Sequence, residues 1–309
     1  MQRYFFRRLL MMIPLMGLIS FIAFVLLNLA PLDPAEVALR VNEVTLNPEA
    51  VAQVRHQLGF DLPFFQRYFN WLGQILQLDF GRSFLNHQPV LQEILHALPA
   101  TLWLAVSALM FILIFSFGLA LLCMLKPNGL LDSCIRGSLF MFTSMPNYWL
   151  ALLLIWGVAV SLNWLPVSGL TGVDSLILPA LSLSLGYIGT YVRLIRGTML
   201  NQLRQPYVFY ARARGLSEGR ILLRHVLPNS LHSTLVALGM GIPKLMAGAV
   251  VIENIFALPG LGRLCVQAVF GRDYPVIQAY ILLMSLLFLL CNFAIDLCQQ
   301  RFDPRLRRE

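Results

Sequence analysis

Leu9–Ala30 reads LLMMIPLMGLISFIAFVLLNLA, twenty-two residues without one charge. As an α-helix rising about 1.5 Å per residue it would be ~33 Å long, enough to cross a hydrocarbon core about 30 Å thick. Arg3, Arg7 and Arg8 precede it as they would in a secretory leader, but the run is longer than the about 7–15 residues of a leader's apolar region. Ala30, the one small-residue exit, is followed by Pro31, a poor context for cleavage. The segment is expected to stay as an anchor.

Outward from this run, further apolar stretches lie at about 100–125, 135–162, 177–197, 232–256 and 279–299. Pro146 predicts a kink or break in the long third stretch, because it removes a backbone donor and clashes one turn back. The fourth, ILPALSLSLGYIGTYV, is rich in Ser, Gly and Thr, residues that let helices approach closely, so a central position is expected. The whole chain is 58% hydrophobic and only 12% charged, with a mean hydropathy of +0.72. The expected fold is an all-α polytopic membrane protein with about six transmembrane helices. Its parts would be residues 1–30, an N-terminal segment and first span; 31–98, an external segment with helical patterning; and 99–309, the transmembrane core.

The +8 net charge does not point to nucleic acid, because of where the charge lies. With six spans, the N-terminus, the 126–136 loop, the 193–231 stretch and the C-terminal tail share a side and hold 16 of the 23 Lys and Arg. Arg40, Arg55, Arg67, Arg82, Arg263 and Arg272 fall on the other side. The positive-inside bias then places both termini in the cytoplasm. The stretch of about 196–231 is more structured than orientation requires. It predicts two short helices broken near Gly215, with Arg212, Arg214, Arg220 and Arg224 on them, Ser217 and Glu218 starting the second, and Pro228 stopping it.

Enzymatic and metal chemistry find little support. No G-x-x-x-x-G-K-[ST] phosphate loop occurs, so ATP binding through that motif is excluded. Cys123, Cys134, Cys265, Cys291 and Cys298 show neither C-x-x-C nor zinc-like spacing, and only Cys265 is expected outside. His56, His87, His96, His225 and His232 share no H-x-x-x-H spacing, and the methionines read as apolar filler. No metal site and no cofactor are expected. Lys244 falls inside the fifth span, where a charge is costly and usually faces a cavity or a partner. Glu253, nine residues on, is expected to hold the turn at Phe256, Pro259, Gly260 and Gly262 by accepting backbone N–H bonds; that abrupt bend suits a gate or a partner contact.

Residues 205–229 resemble the coupling segment of ABC-importer permeases. Gly215 and the Leu227-Pro228 pair meet that segment's spacing, and Ala211 matches the second alanine of its Glu-Ala-Ala opening. Phe209 and Tyr210 stand where the acidic residue and first alanine would be. Arg7-Arg8-Leu9, Asp33-Pro34, LGFDLPFFQRYFNWL (58–72), LDFGRS (78–83), LPATL (98–102) and SMPNYWL (144–150) resemble the oligopeptide, dipeptide and nickel permeases. So do ARARGL (211–216), the Glu253–Arg263 stretch, RDYPV (272–276) and Asp303-Pro304-Arg305, in order along nearly the whole chain. NYWLALLL, VVIENIFALPGLGR and FGRDYPVIQ are most similar to nickel-type members.

The resemblance implies an importer permease in a bacterial inner membrane. Its solute would be nickel or a metal chelate, with di- or oligopeptides as the alternative. Its partners would be a second, related permease in a heterodimer, two cytoplasmic ATP-binding subunits, an extracytoplasmic solute-binding protein and membrane lipid. Docking of the ATP-binding subunits is carried over to Ala211, Arg212, Ala213, Arg214, Gly215, Leu216, Arg224, His225, Leu227 and Pro228. An ion-coupled secondary transporter is the rival of another class; it would show inverted repeats and intramembrane carboxylates. An intramembrane protease would need a central histidine, and none lies deep in a span.

Overall fold

The computed structural model describes residues 2–29, 36–37, 39, 48–57 and 61–302. Asp33-Pro34, Leu58-Gly59-Phe60, Asp303-Pro304-Arg305 and the side chain of His232 lie outside the described residues. Among those described, regular structure is helical apart from one isolated bridge between Arg82 and Pro89. Among the described residues, five helices are long and apolar enough to cross a membrane, or six if one sharply bent pair is a single broken span. The chain divides into two compact units, Met1–Pro99 with Gly260–Phe293, and Ala100–Pro259 with Ala294–Glu309.

In the first unit, α1 (Gln2–Asn28) packs on α3 (Phe64–Leu76); α2 is Pro48–Gln57. Phe64, Tyr68 and Trp71 recur at helical spacing, and their rings meet Phe21 and Phe24 of α1 with centroids 5.3–6.2 Å apart. The buried Tyr68 hydroxyl finds the Ser20 hydroxyl at 2.9 Å, so the phenol is not orphaned. Beyond this cluster, α11 (Leu261–Gly271) and the start of α12 (Tyr274–Phe302) pack with Val90, Ile94 and Ala97. The Ser83 hydroxyl donates to buried Asp273, and a Cβ on Gly271 would stand 2.7 Å from a Leu85 methyl, which would have to shift to admit it.

The second unit is built around α7 (Asp174–Leu203), with α5 (Leu130–Ser144), α6 (Asn147–Leu154, continued as a π-helical turn over Ile155–Ser161) and α10 (Leu227–Ile255) against it. Of its most apolar window 61% is buried, against 17% in α1 and in α12. Buried Ser182 and Ser184 return their hydroxyls to the carbonyls of Pro179 and Leu181, so their polarity costs little. Close approach follows from glycine: a Cβ on Gly189 would stand 2.3 Å from Thr143 Oγ1 and 3.0 Å from the Leu139 carbonyl.

Three local expectations change. At Pro146 the chain does not merely kink: α5 and α6 meet at 105°. The helix expected from about residue 100 is α4, Val90–Leu125; it starts ten residues earlier and carries Pro99 inside it. Pro228 does not stop the helix after Gly215. The short α9 (Glu218–Ile221) passes through a π turn, Leu222–Val226, straight into α10. That wider turn falls where the proline ring would otherwise meet the carbonyl one turn back, and Pro228 then sits at the start of α10, where no amide donor is needed.

Candidate functional site

The segment singled out by its arginines folds as a compact knuckle. After α7, helix α8 (Pro206–Ala213) ends at Gly215, which takes the left-handed φ of +75° that a β-carbon disfavours. Gly215 N–H donates to the Arg212 carbonyl and Leu216 N–H to the Ala211 carbonyl, closing the turn. Val208, Ala211, Ile221, Leu222 and Val226 are buried and anchor the knuckle in the bundle. Ala213, Arg214, Arg220, Arg224 and Pro228 are exposed, while Leu216, His225 and Leu227 are half-buried.

Arg212 does not stand free for an outside acid. Its guanidinium binds both oxygens of Glu218, at 2.7 and 3.0 Å, and so clamps the two helices across the glycine break. The hydrogen bond from Arg212 holds the Glu218 carboxyl below its ordinary value. Phe209 and Tyr210 both project outward, so the departure from the family signature lies on the exposed face of α8.

The remaining candidates do not form one cluster. Glu253 is fully buried near the end of α10 and accepts the Thr101 hydroxyl at 2.7 Å. Lys244 is exposed, the ninth residue of the span Val236–Ile255, and its ammonium pairs with no acid among the described residues. Phe256 is buried, and its carbonyl accepts from Gly169 N–H at 2.8 Å. The abrupt bend is shared: Ala257 takes a positive φ of 52° and the chain bends again at Gly260, which caps α11, while Gly262 is buried and Pro259 is exposed. The bend returns Leu258 N–H to the backbone carbonyl of Glu253 at 2.9 Å.

Two groups escaped the sequence reading. The first is an ion knot: Asp132 of α5 is fully buried and bound by Arg196 of α7 through Nε at 2.9 Å and Nη2 at 2.6 Å. Asn128 N–H adds 2.8 Å and Arg136 3.2 Å. Asp132 and Arg196 lie 64 positions apart, and only their pairing in the fold marks them. The second surrounds Lys244. Tyr187 donates its hydroxyl to the Lys244 carbonyl at 3.2 Å, and the Asn147 amide lies against Gly186, whose Cβ would stand 2.4 Å from Asn147 Oδ1. The Asn147 side chain has no hydrogen-bond partner among the described residues. No group of three potential metal-binding side chains occurs among them.

An apolar groove of about 330 Å³, lined by Phe115, Leu119, Ile135, Phe142, Leu181 and Leu185 with Cys134 and Ser138 at its side, lies between α4, α5 and α7. It gives a polar solute almost nothing to bond.

Residues 112–308 match the model of the binding-protein-dependent transport system inner membrane component, and residues 1–105 match that of its N-terminal region. The metal-staphylopine import system permease protein CntB of Staphylococcus aureus is 39% identical over 308 residues, 99% of each chain. The di/tripeptide transport system permease protein DppB of Pseudomonas aeruginosa is 34% identical over 337 residues, covering both chains fully. Among solved structures, the inward-facing MetNI methionine ABC transporter aligns with a TM-score of 0.58 at 18% identity, over 68% of this chain and 96% of that one.

Proposed function

This chain belongs to the binding-protein-dependent transport system inner membrane component family and is a permease subunit of an ATP-binding-cassette importer, and we propose that its cargo is nickel or a related metal carried as a chelate. It is a multi-pass protein of the inner membrane and a transport subunit, not an enzyme; ATP hydrolysis belongs to separate subunits, and a solute-binding protein delivers the cargo. The observation that carries the metal reading is the 39% identity, end to end, with the metal-staphylopine permease. Peptide permeases at 34–37% identity support the second reading, di- or oligopeptide import.

We further propose that both termini face the cytoplasm, as the Lys and Arg bias requires. The knuckle Pro206–Val226 then faces the ATP-binding subunits. Its buried side is anchored in the bundle, and its exposed Arg214, Arg220 and Arg224 can meet acidic side chains. Because α9 runs through the π turn into α10, a push on the knuckle is transmitted along a continuous helix. A second, paralogous permease completes the path, residues 31–98 serve as a cap or docking surface outside, and the turn that begins at Glu253 and Phe256 acts as an outer gate.

Uptake of radioactive nickel and of a labelled dipeptide, in cells with and without the gene, tests the cargo. Loss of nickel entry with dipeptide entry intact is expected. The reverse pattern would replace the metal reading with the peptide one.

A further inference from the structure

We infer that Lys244, Tyr187 and Asn147 form a recognition site for a carboxylate on the transported solute, in the wall of the translocation path. The inference rests on the permease reading and deepens it, by naming the chemical group that the path selects.

A lysine near the middle of a span is costly even where its side chain can adjust. A buried acid would remove that cost, but Lys244 has no ion pair among the described residues and is exposed on α10. It lies on one helical face with exposed Met240 and Ala247 and half-buried Gly248. A face carrying an unpaired ammonium is incompatible with hydrocarbon and must meet water, cargo or a polar partner.

Two polar side chains border that face. The point where a Cβ on Gly248 would stand is 3.6 Å from Tyr187 Oη and 4.0 Å from Asn147 Nδ2. Glycine at 248 therefore lets a phenol and an amide approach α10 one turn from the Lys244 backbone, with a Leu183 methyl 3.1 Å from the same point. Gly186 gives the room that brings the Asn147 side chain there: a methyl group would collide with it. Asn147 is the first residue after the Pro146 break, so the 105° bend between α5 and α6 sets the position of its amide. A span residue with an unused amide, half-buried beside two glycines, is arranged for a partner other than this chain.

The sign of the charge narrows the cargo. An ammonium repels a hydrated divalent cation and attracts a carboxylate, which also accepts from an amide; the single Tyr187 proton, held on the Lys244 carbonyl at 3.2 Å, reaches it only by turning from that carbonyl. Carboxylate-bearing chelates and peptides both satisfy the site; a bare metal ion does not.

The test uses the complete transporter in cells lacking the native copy. Radioactive nickel with excess L-histidine, and labelled alanyl-alanine, are the two probes. For whichever probe the wild type imports, Lys244→Met should lower uptake about tenfold or more, at wild-type levels of assembled transporter, while Lys244→Arg stays within about threefold, as loss or retention of a charge-assisted hydrogen bond requires. Asn147→Ala and Tyr187→Phe should fall between. Wild-type uptake by Lys244→Met, or equal loss in Lys244→Arg, would overturn the inference. Should the wild type import neither probe, the cargo reading has failed and the site is judged separately. Lys244→Cys, with the five native cysteines replaced by alanine, must then react with a membrane-impermeant anionic methanethiosulfonate. No reaction would place residue 244 against lipid or another subunit, and the site would fall with it.

Discussion

Two charged residues of this bundle, Asp132 and Lys244, have opposite surroundings. Asp132 is fully buried, receives two hydrogen bonds from Arg196 and one from the Asn128 backbone N–H, and forms an ion pair with Arg136 at 3.2 Å. Lys244 is exposed and has no acid at all among the described residues, only a phenol at its own carbonyl. A charge whose partners lie within one chain is structural: it fixes α5 against α7 just before the knuckle. A charge held in a span without a partner is kept for something that arrives. The same contrast divides the glycines, since Gly189 lets α7 press on α5, whereas Gly248 lets the Tyr187 phenol and the Asn147 amide come close to α10.

The knot should be the most sensitive point. Asp132→Ala leaves the Arg196 guanidinium, only 13% exposed, without its carboxylate, and removing one partner of a buried pair costs roughly 3–5 kcal/mol. The purified complex should then melt well below wild type or fail to accumulate. The double variant Asp132→Asn with Arg196→Gln should recover part of the loss, because no unpaired charge remains. A single variant as stable as wild type would make the knot incidental.

Next comes Gly189→Ala. Its Cβ would meet both Thr143 Oγ1 and the Leu139 carbonyl; the hydroxyl can rotate away, but the backbone cannot, so about 1–3 kcal/mol of overpacking is expected. Thermal melting of the complex reads it. Gly248→Ala should behave differently. Its closest contact is a methyl of Leu183 at 3.1 Å, which can shift by a few tenths of an ångström, so stability should change little. The added methyl nevertheless intrudes between Tyr187 and Asn147, and uptake should drop several-fold, as expected when a small misplacement spoils a binding geometry. If Gly248→Ala instead melts early and transports normally, the division between the two glycines is lost.

What was legible in the sequence follows the same physics. The spans could be read because the absence of charge over some twenty residues is a local property, and so could the central position of α7, from its small side chains. The Gly215 break was legible because a left-handed turn selects its residue. Features set by distant pairing were not. Asp132 needs Arg196, 64 positions away, and Glu253 needs Thr101, 152 away. Pro228 misled because proline marks a helix end unless a π turn precedes it, and nothing local to LLRHV announces that turn. Ala257 shares with Gly260 the sharp bend that the glycines advertise, because the bonds of Leu258 and Gly169 to the ends of the turn hold its backbone there.

The smallest effect belongs to the Arg212–Glu218 clamp, a third kind of charge, paired but open to water. The two side chains are 47% and 68% exposed, so screening keeps the pair at about 0–1 kcal/mol despite its bidentate geometry. The folded Glu218 carboxyl titrates below its ordinary value, so the stabilisation is complete above the unfolded value of about 4.3 and disappears as pH falls through the folded one. Glu218→Gln should accordingly lower the melting temperature slightly at pH 7, and the difference should shrink in high salt or in acid. A much larger, salt-resistant loss would show that the clamp is desolvated in the assembled transporter, and hence that the ATP-binding subunit covers this side of the knuckle.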